Sequence, residues 1–262
     1  MTLNHIKFEQ RGAVAVLTLN RPELLNAWHS DMRREIVETI RACATDEGVR
    51  ALVMTGAGDR AFCAGQDLNE ARTFDGARAE DWILEWENYY DAMRSFPKPL
   101  IVALNGTAAG SAFQVALLGD IRVAHDEVKM GQPEINSGIA SVTGPWIMRE
   151  MLGMSRTIEL TLTGRMMDAA ECHHIGLIHH LVPRAQVMER ALQIADELAA
   201  KPPVAMRLDK QRFREMTEEA FRDSIQAAIR IHHESYESGE PARMMQAFLA
   251  ERARRREAAQ AE

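Results

Sequence analysis

Residues 100–120, "LIVALNGTAAGSAFQVALLGD", place two apolar runs, Leu100 to Leu104 and Phe113 to Leu118, on either side of a junction stripped of bulk. Gly106, Thr107, Ala108, Ala109, Gly110, Ser111 and Ala112 are all small. The first run reads as a buried strand and the second as a helix. A strand that enters such a turn and leaves as a helix presents the helix's unpaired N–H groups, with the positive end of its dipole behind them. Two readings are open: close packing of helix on sheet, or a site where an oxyanion or phosphate meets bare backbone. Gln114 is the one polar residue inside the second run.

Strand and helix patterns alternate through residues 1–125. "AVAVLTL" (13–19), "RALVMT" (50–55) and "IRVA" (121–124) are short apolar runs bounded by Gly, Asn, Asp or Pro. Between them, Met32, Ile36, Val37 and Ile40 form the apolar face of a helix that Ser30 or Asp31 can cap, and Ile83, Trp86, Tyr90 and Met93 form a stripe on another. The alternation implies an α/β core. After about residue 145 helical periodicity takes over, at 185–200, 204–236 and 241–256, broken by "KPP" and "SGEP". The expected organisation is a core over 1–198 and a helical region over 199–262.

With 262 residues, 46% of them hydrophobic, the chain can bury one large core. No apolar run approaches the roughly 18 residues of a membrane span, and "MTLNHIKFEQRG" has no signal-peptide pattern, so a soluble, cytoplasmic protein is expected. A formal net charge of -7 disfavours nucleic acid and acidic membranes as partners, although "ERARRRE" (251–257) is locally basic. Cys43, Cys63 and Cys172 lack ligand spacing and are expected to be buried small hydrophobes. The pairs His173–His174, His179–His180 and His232–His233 are expected at the surface or an interface: adjacent histidines on a helix diverge by about 100° and do not readily share a metal.

Two further stretches stand out. "GAGDRA" (56–61) matches a dinucleotide fingerprint, but "FCAGQD" follows it where a helix should open. In "GQPEINSG" (131–138), Glu134 occupies a region poor in other charge, about where a loop would return to the core. A lone glutamate is ordinarily solvated, and that reading weakens only if the three segments converge.

In order, the pieces "NRPELLNAW" (20–28), "GAGDRAFCAGQDLNE" (56–70), "KPLIVALNGTAAGSAF" (98–113), "GDIRVA" (119–124), "GQPEINSGI" (131–139), "LTGRMMDAAECHHIGLI" (162–178) and "YESGEPARMMQAFLAER" (236–252) resemble the crotonase, or enoyl-CoA hydratase/isomerase, superfamily. The resemblance implies an α/β spiral of ββα units whose C-terminal helices mediate a trimer or a dimer of trimers. It also implies chemistry on an acyl-CoA thioester through a stabilised enolate, with coenzyme A present only as part of the substrate, no other cofactor and no metal. By position, the backbone N–H groups of Gln66 and Ser111 form the oxyanion hole. Substrate contacts fall on Asn26, Ala64, Gly65, Asp67, Leu68 and Gly110. Asp67 and Asp120 are read as fixing loop and helix-end geometry.

Three departures bear on chemistry. Ser111 stands where a glycine is usual; the donor is backbone, so the function can survive. Gln114 stands where hydratases carry the first of two glutamates, and Glu134 matches the second. An amide cannot act as a general base at neutral pH, though it can hold a water or a carbonyl. One carboxylate suffices to move a proton between two carbons, so Glu134 is expected as the acid/base and Gln114 as an orienting residue. Finally, "GIASVTGPWIM" (138–148), with Pro145, reshapes the pocket wall. The expected activity is of the enoyl-CoA hydratase/isomerase type. Decarboxylation, C–C hydrolysis and a catalytically silent relative used for assembly or RNA contact are the alternatives. Trp146, Trp82, Trp86 and Tyr89 are read either as acyl-pocket lining or as core.

Overall fold

The computed structural model describes residues 3–261. In chain order, β1 (Ile6–Arg11) and β2 (Val14–Leu19) form a hairpin followed by α1 (Ser30–Thr45). Next come β3 (Ala51–Gly56), β4 (Ala61–Cys63), α2 (Leu68–Ala71) and α3 (Gly76–Arg94). The third unit is β5 (Leu100–Leu104), β6 (Thr107–Ala109) and α4 (Ser111–Leu118); the fourth is β7 (Ile121–Ala124), β8 (Lys129–Gly131) and α5 (Thr143–Thr163). The chain closes with β9 (Met166–Asp168), α6 (Ala169–His174), β10 (His180–Leu181), α7 (Val187–Ala199), α8 (Pro203–Glu237) and α9 (Glu240–Ala261).

From the second unit on, the first strand of each ββα unit joins a six-stranded sheet of order β1-β2-β3-β5-β7-β10. The second strand joins a four-stranded sheet of order β4-β6-β8-β9. The result is a spiral α/β fold. Every residue of β3 and β5 is buried, which is why both read as unbroken apolar runs. Ala191 and Ile194 of α7 cover one face of the large sheet, at Val53 and Ile101, while α1, α3 and α4 cover the other.

Several expectations need correction. The cap of α1 is His29, whose Nδ1 accepts from the Met32 N–H at 3.2 Å; the Ser30 hydroxyl is instead committed to Glu70 and Glu85. The strand that feeds α4 is β6, not β5, because Thr107–Ala109 pair with β4 and β8. His232 is buried rather than superficial: its ring lies 5.3 Å from that of Trp82, and burial pushes its pKa down to about 4. The three cysteines are buried, as expected. Among the described residues no helix is long and apolar enough to cross a membrane.

The helical end is tied to the core. Lys210 on α8 reaches Asp120 at 2.6 Å, and Asp120 also accepts the Leu100 N–H at 2.7 Å, so this one carboxylate joins α8 to the start of β5. Arg94 on α3 pairs with Glu218 of α8 at 3.1 Å.

Candidate active site

Two glycines bring three loops together. Gly65 has φ +89°, and a β-carbon there would lie 2.6 Å from the Ala109 carbonyl oxygen. Gly110 has φ +61°, and a β-carbon there would lie 2.9 Å from Glu134 Oε1. Only glycine combines that backbone with that proximity. The Ala109–Ser111 segment is therefore held between the Gly65 loop and Glu134, and the solvated reading of that glutamate falls.

Two N–H groups at this junction, those of Gln66 and Ser111, have no backbone acceptor among the described residues. Trp28 and Gln66 form an isolated parallel bridge whose bonds run from the Trp28 N–H to the Gly65 oxygen and from the Asp67 N–H to the Trp28 oxygen, both at 3.0 Å. That pattern passes over the N–H of Gln66. Ser111 is the first residue of α4, and the helical ladder begins with Gln114 N–H to the Gly110 oxygen at 3.2 Å, so the Ser111 N–H has no intrahelical acceptor.

The side chains of both residues are held by hydrogen bonds. The Ser111 hydroxyl accepts from the Trp28 indole at 3.0 Å. Gln66 is clamped: its Oε1 accepts from Arg33 at 2.8 Å and from the Trp82 indole at 3.0 Å, while its Nε2 donates to Glu70 at 2.6 Å. Arg33 is itself buried and paired with Glu85. This ion-pair network fixes the loop that carries the Gln66 N–H.

Glu134 opens the 3-10 turn Glu134–Ser137. Its Oε1 accepts from Gln114 Nε2 at 3.3 Å, and its Oε2 is buried with no hydrogen-bond partner among the described residues. Burial pushes its pKa up to about 8, against the pull of its own backbone N–H and of Gln114. Gln114 makes three further bonds. Its Oε1 accepts from the hydroxyls of Tyr90 and, at 3.1 Å, Thr143, and its Nε2 donates to Gln132 Oε1 at 3.2 Å.

The other expected contact residues border the site as framework. The Asn26 amide donates to the carbonyls of Ala57 and Ala61 at 2.9 and 3.0 Å and accepts the Arg21 N–H at 3.0 Å. The Ala64 N–H bonds the Leu25 oxygen at 2.9 Å. Asp67 caps α2 through the Asn69 N–H and pairs with Arg21 at 3.2 Å; Leu68 begins that helix, half-buried. A cavity of about 240 Å³ lies beside Asn26, lined by Pro22, Leu25 and the 57–61 loop. A second cavity, about 490 Å³, opens between the end of α3 and α8 around Arg94, Arg207, Lys210 and Arg214, and none of the three loops lines it.

Residues 56–61 run into β4 rather than a helix, which removes the dinucleotide fingerprint. Trp82, Trp86 and Tyr89 are buried core, with Trp86 stacked on Tyr89 at 5.7 Å; Trp146 packs against Phe221 at 5.3 Å. Sequence reasoning missed Trp28, Arg33, Tyr90, Gln132 and Thr143. Tyr90 was visible only as part of an apolar helix stripe.

A family model described as enoyl-CoA hydratase/isomerase matches residues 9–256. The chain is 34% identical to a short-chain-enoyl-CoA hydratase of Clostridium acetobutylicum, over 80% of this chain and 81% of that one. It is 35% identical to a 1,2-epoxyphenylacetyl-CoA isomerase of Escherichia coli, over 80% of each. The solved structure of an enoyl-CoA hydratase/isomerase from Xanthobacter autotrophicus Py2 superposes with a TM-score of 0.87 at 27% identity, covering 96% of this chain and 94% of that one. The spiral is thus a crotonase-type fold. The chain belongs to the enoyl-CoA hydratase/isomerase family and is an enzyme of that type.

Proposed function

We propose that this enzyme shifts a double bond in an enoyl-CoA thioester, with Glu134 as the single acid/base. In a 3-enoyl thioester the Glu134 carboxylate takes a proton from C2, and the C–H electron pair moves into the thioester to give a dienolate. The N–H groups of Gln66 and Ser111 donate to its oxygen. Glu134 returns the same proton to C4, leaving a conjugated 2-enoyl thioester and a regenerated carboxylate. No cofactor or metal enters. Each oxyanion donor is worth roughly 3–4 kcal/mol in such chemistry.

The state of Gln114 carries this reading. A glutamine amide has two lone pairs and two N–H bonds to offer. Here the oxygen takes two hydroxyl donors and the nitrogen gives to Gln132 and Glu134. Nothing is left to hold and deprotonate a water as a second carboxylate would. With a pKa of about 8, Glu134 has the proton affinity an acid/base needs near neutral pH.

The test compares 3-hexenoyl-CoA with crotonyl-CoA. Growth of the conjugated-enoyl ultraviolet band from the first, with deuterium placed at C2 of the substrate carried to C4 of the product, is expected. Hydration of crotonyl-CoA at a higher kcat/KM than isomerisation of 3-hexenoyl-CoA refutes it.

We further propose self-association, as a trimer or a dimer of trimers, through α5 and α8. Met154, Ile158 and Leu162 repeat at helical spacing and are exposed on the part of α5 that follows the non-helical Gly153, Met151 is exposed just before it, and Val204, Leu208, Phe213 and Met216 are exposed on α8. Such stripes favour a partner of the same kind.

A further inference from the structure

The two ends of a glutamine amide are alike in shape and opposite in polarity. Whichever end faces Glu134 decides which form of that carboxyl is favoured: an N–H stabilises the carboxylate, and a carbonyl oxygen stabilises the acid. The helix that carries Gln114 does not make the choice, since its flanking residues Phe113 and Val115 are apolar. Two buried hydroxyls from other helices sit on Gln114 Oε1: Tyr90 from α3 and Thr143 from the first turn of α5. A phenol donates better than it accepts, because its lone pairs are delocalised into the ring. The Tyr90 ring is in turn held by stacking on Trp86 at 5.2 Å.

We propose that Tyr90 and Thr143 are positioning residues that lock the Gln114 amide with its nitrogen toward Glu134, holding that carboxyl ready to act as a base. The consequence for catalysis rests on the role assigned to Glu134 above; the orientation itself is a property of the free protein.

Glu134 has little else to set its ionisation. Tyr90, kept neutral by burial, is the titratable group beside it. Arg33, which lies over the Trp86 ring at 5.1 Å, is paired with Glu85. No ionisable side chain occurs in α4 or in the Thr143–Trp146 turn. Gln132 is neutral, and Arg165, whose carbonyl meets Gly131, binds Glu159 and Glu171. From α9, Met244 and the Glu240 carbonyl meet the far end of the turn at Gly138.

The experiment titrates Glu134 in substrate-free protein by carbon-13 NMR of labelled glutamate, with Glu134→Gln for assignment. Tyr90→Phe is expected to raise the midpoint from about 8 to about 9, Thr143→Val by a smaller amount, and the pair by more than either. The acidic limb of the pH–rate profile should move with it, lowering kcat at neutral pH about tenfold while KM stays within about twofold. Thr143→Ser, which keeps the hydroxyl, should restore the midpoint. Tyr89→Phe is the control, because that phenol is equally buried and its hydroxyl has no partner among the described residues. Midpoints unchanged in both Tyr90→Phe and Thr143→Val overturn the proposal, as does an equal shift in Tyr89→Phe. If Tyr90→Phe does not fold, Thr143→Val against Thr143→Ser decides. A chain that isomerises nothing but shows the shifts retains the lock and loses the proposed reaction.

Discussion

Gly110 touches Glu134: a β-carbon on Gly110 would stand 2.9 Å from Oε1 and 3.2 Å from the carboxyl carbon. Because Ser111 is the next residue, this contact sets how far the carboxylate lies from one of the two free N–H groups. Gly110→Ala should therefore act twice. At φ +61° and ψ −129°, outside the left-handed helical region, an alanine costs about 1–3 kcal/mol, and its methyl forces the carboxylate aside. A displacement of about 1 Å at a reacting group costs on the order of 100-fold. We expect kcat/KM to fall by that factor together with a lowered denaturation midpoint; a near-normal rate would contradict the contact.

Glu134→Gln separates chemistry from stability. The carboxyl ordinarily titrates at 4.5 and here at about 8, so between those values the folded chain binds a proton that the unfolded chain releases. Folding stability contributed by the neutral acid is then complete below about pH 4.5 and is lost as pH rises to about 8. The glutamine variant escapes this loss. It should match the natural chain near pH 4.5 and exceed it at pH 8, by at most about 4 kcal/mol, while activity disappears. Urea titrations at both pH values check the sign. A variant less stable at pH 8 than the natural protein would refute the burial of a neutral acid.

Ser111→Gly is expected to do the reverse. The backbone N–H is retained, so activity should remain within about threefold. Trp28, fully buried, loses the acceptor of its indole N–H, and an unpaired buried donor costs about 1–3 kcal/mol. A lower denaturation midpoint with preserved kcat/KM is the expected pair of results. Loss of activity at unchanged stability would instead make the hydroxyl a chemical participant.

These residues also show where sequence reasoning stops. β5 carries the bounds expected from its apolar run because burial on both faces leaves an uninterrupted pattern, and β7 keeps its expected bounds although Arg122 interrupts the run, because that buried guanidinium donates to the carbonyls of Leu177 and Gly119. Thr107–Ala109 and Lys129–Gly131 are three residues each, too short for any period, and become strands only because the spiral sets them side by side. β1 exposes five of its six residues and so shows no alternation. Glu134 and Gln114 could be singled out from motif order and chemistry. The hydroxyls on Gln114 could not, since Tyr90 lies 24 residues away and Thr143 29, and their meeting depends on side-chain direction in the folded core.

The exposed stripes on α5 and α8 make a last, independent prediction. Leu162, Phe213 and Met216 are each more than 60% exposed, an unusual state for three large apolar side chains. Burying one such side chain contributes about 1.5–3 kcal/mol, so a carboxylate in its place at a contact both loses that gain and adds a desolvation cost. Combining Leu162→Glu with Phe213→Glu should therefore shift sedimentation from an assembly toward the single chain. Both residues are solvent-facing and lie outside the three loops, so the isolated fold should survive. Retention of the same assembly by the double variant would place the interface elsewhere. A natural protein that sediments as a single chain would remove the self-association proposal, leaving the chemistry at Glu134 untouched.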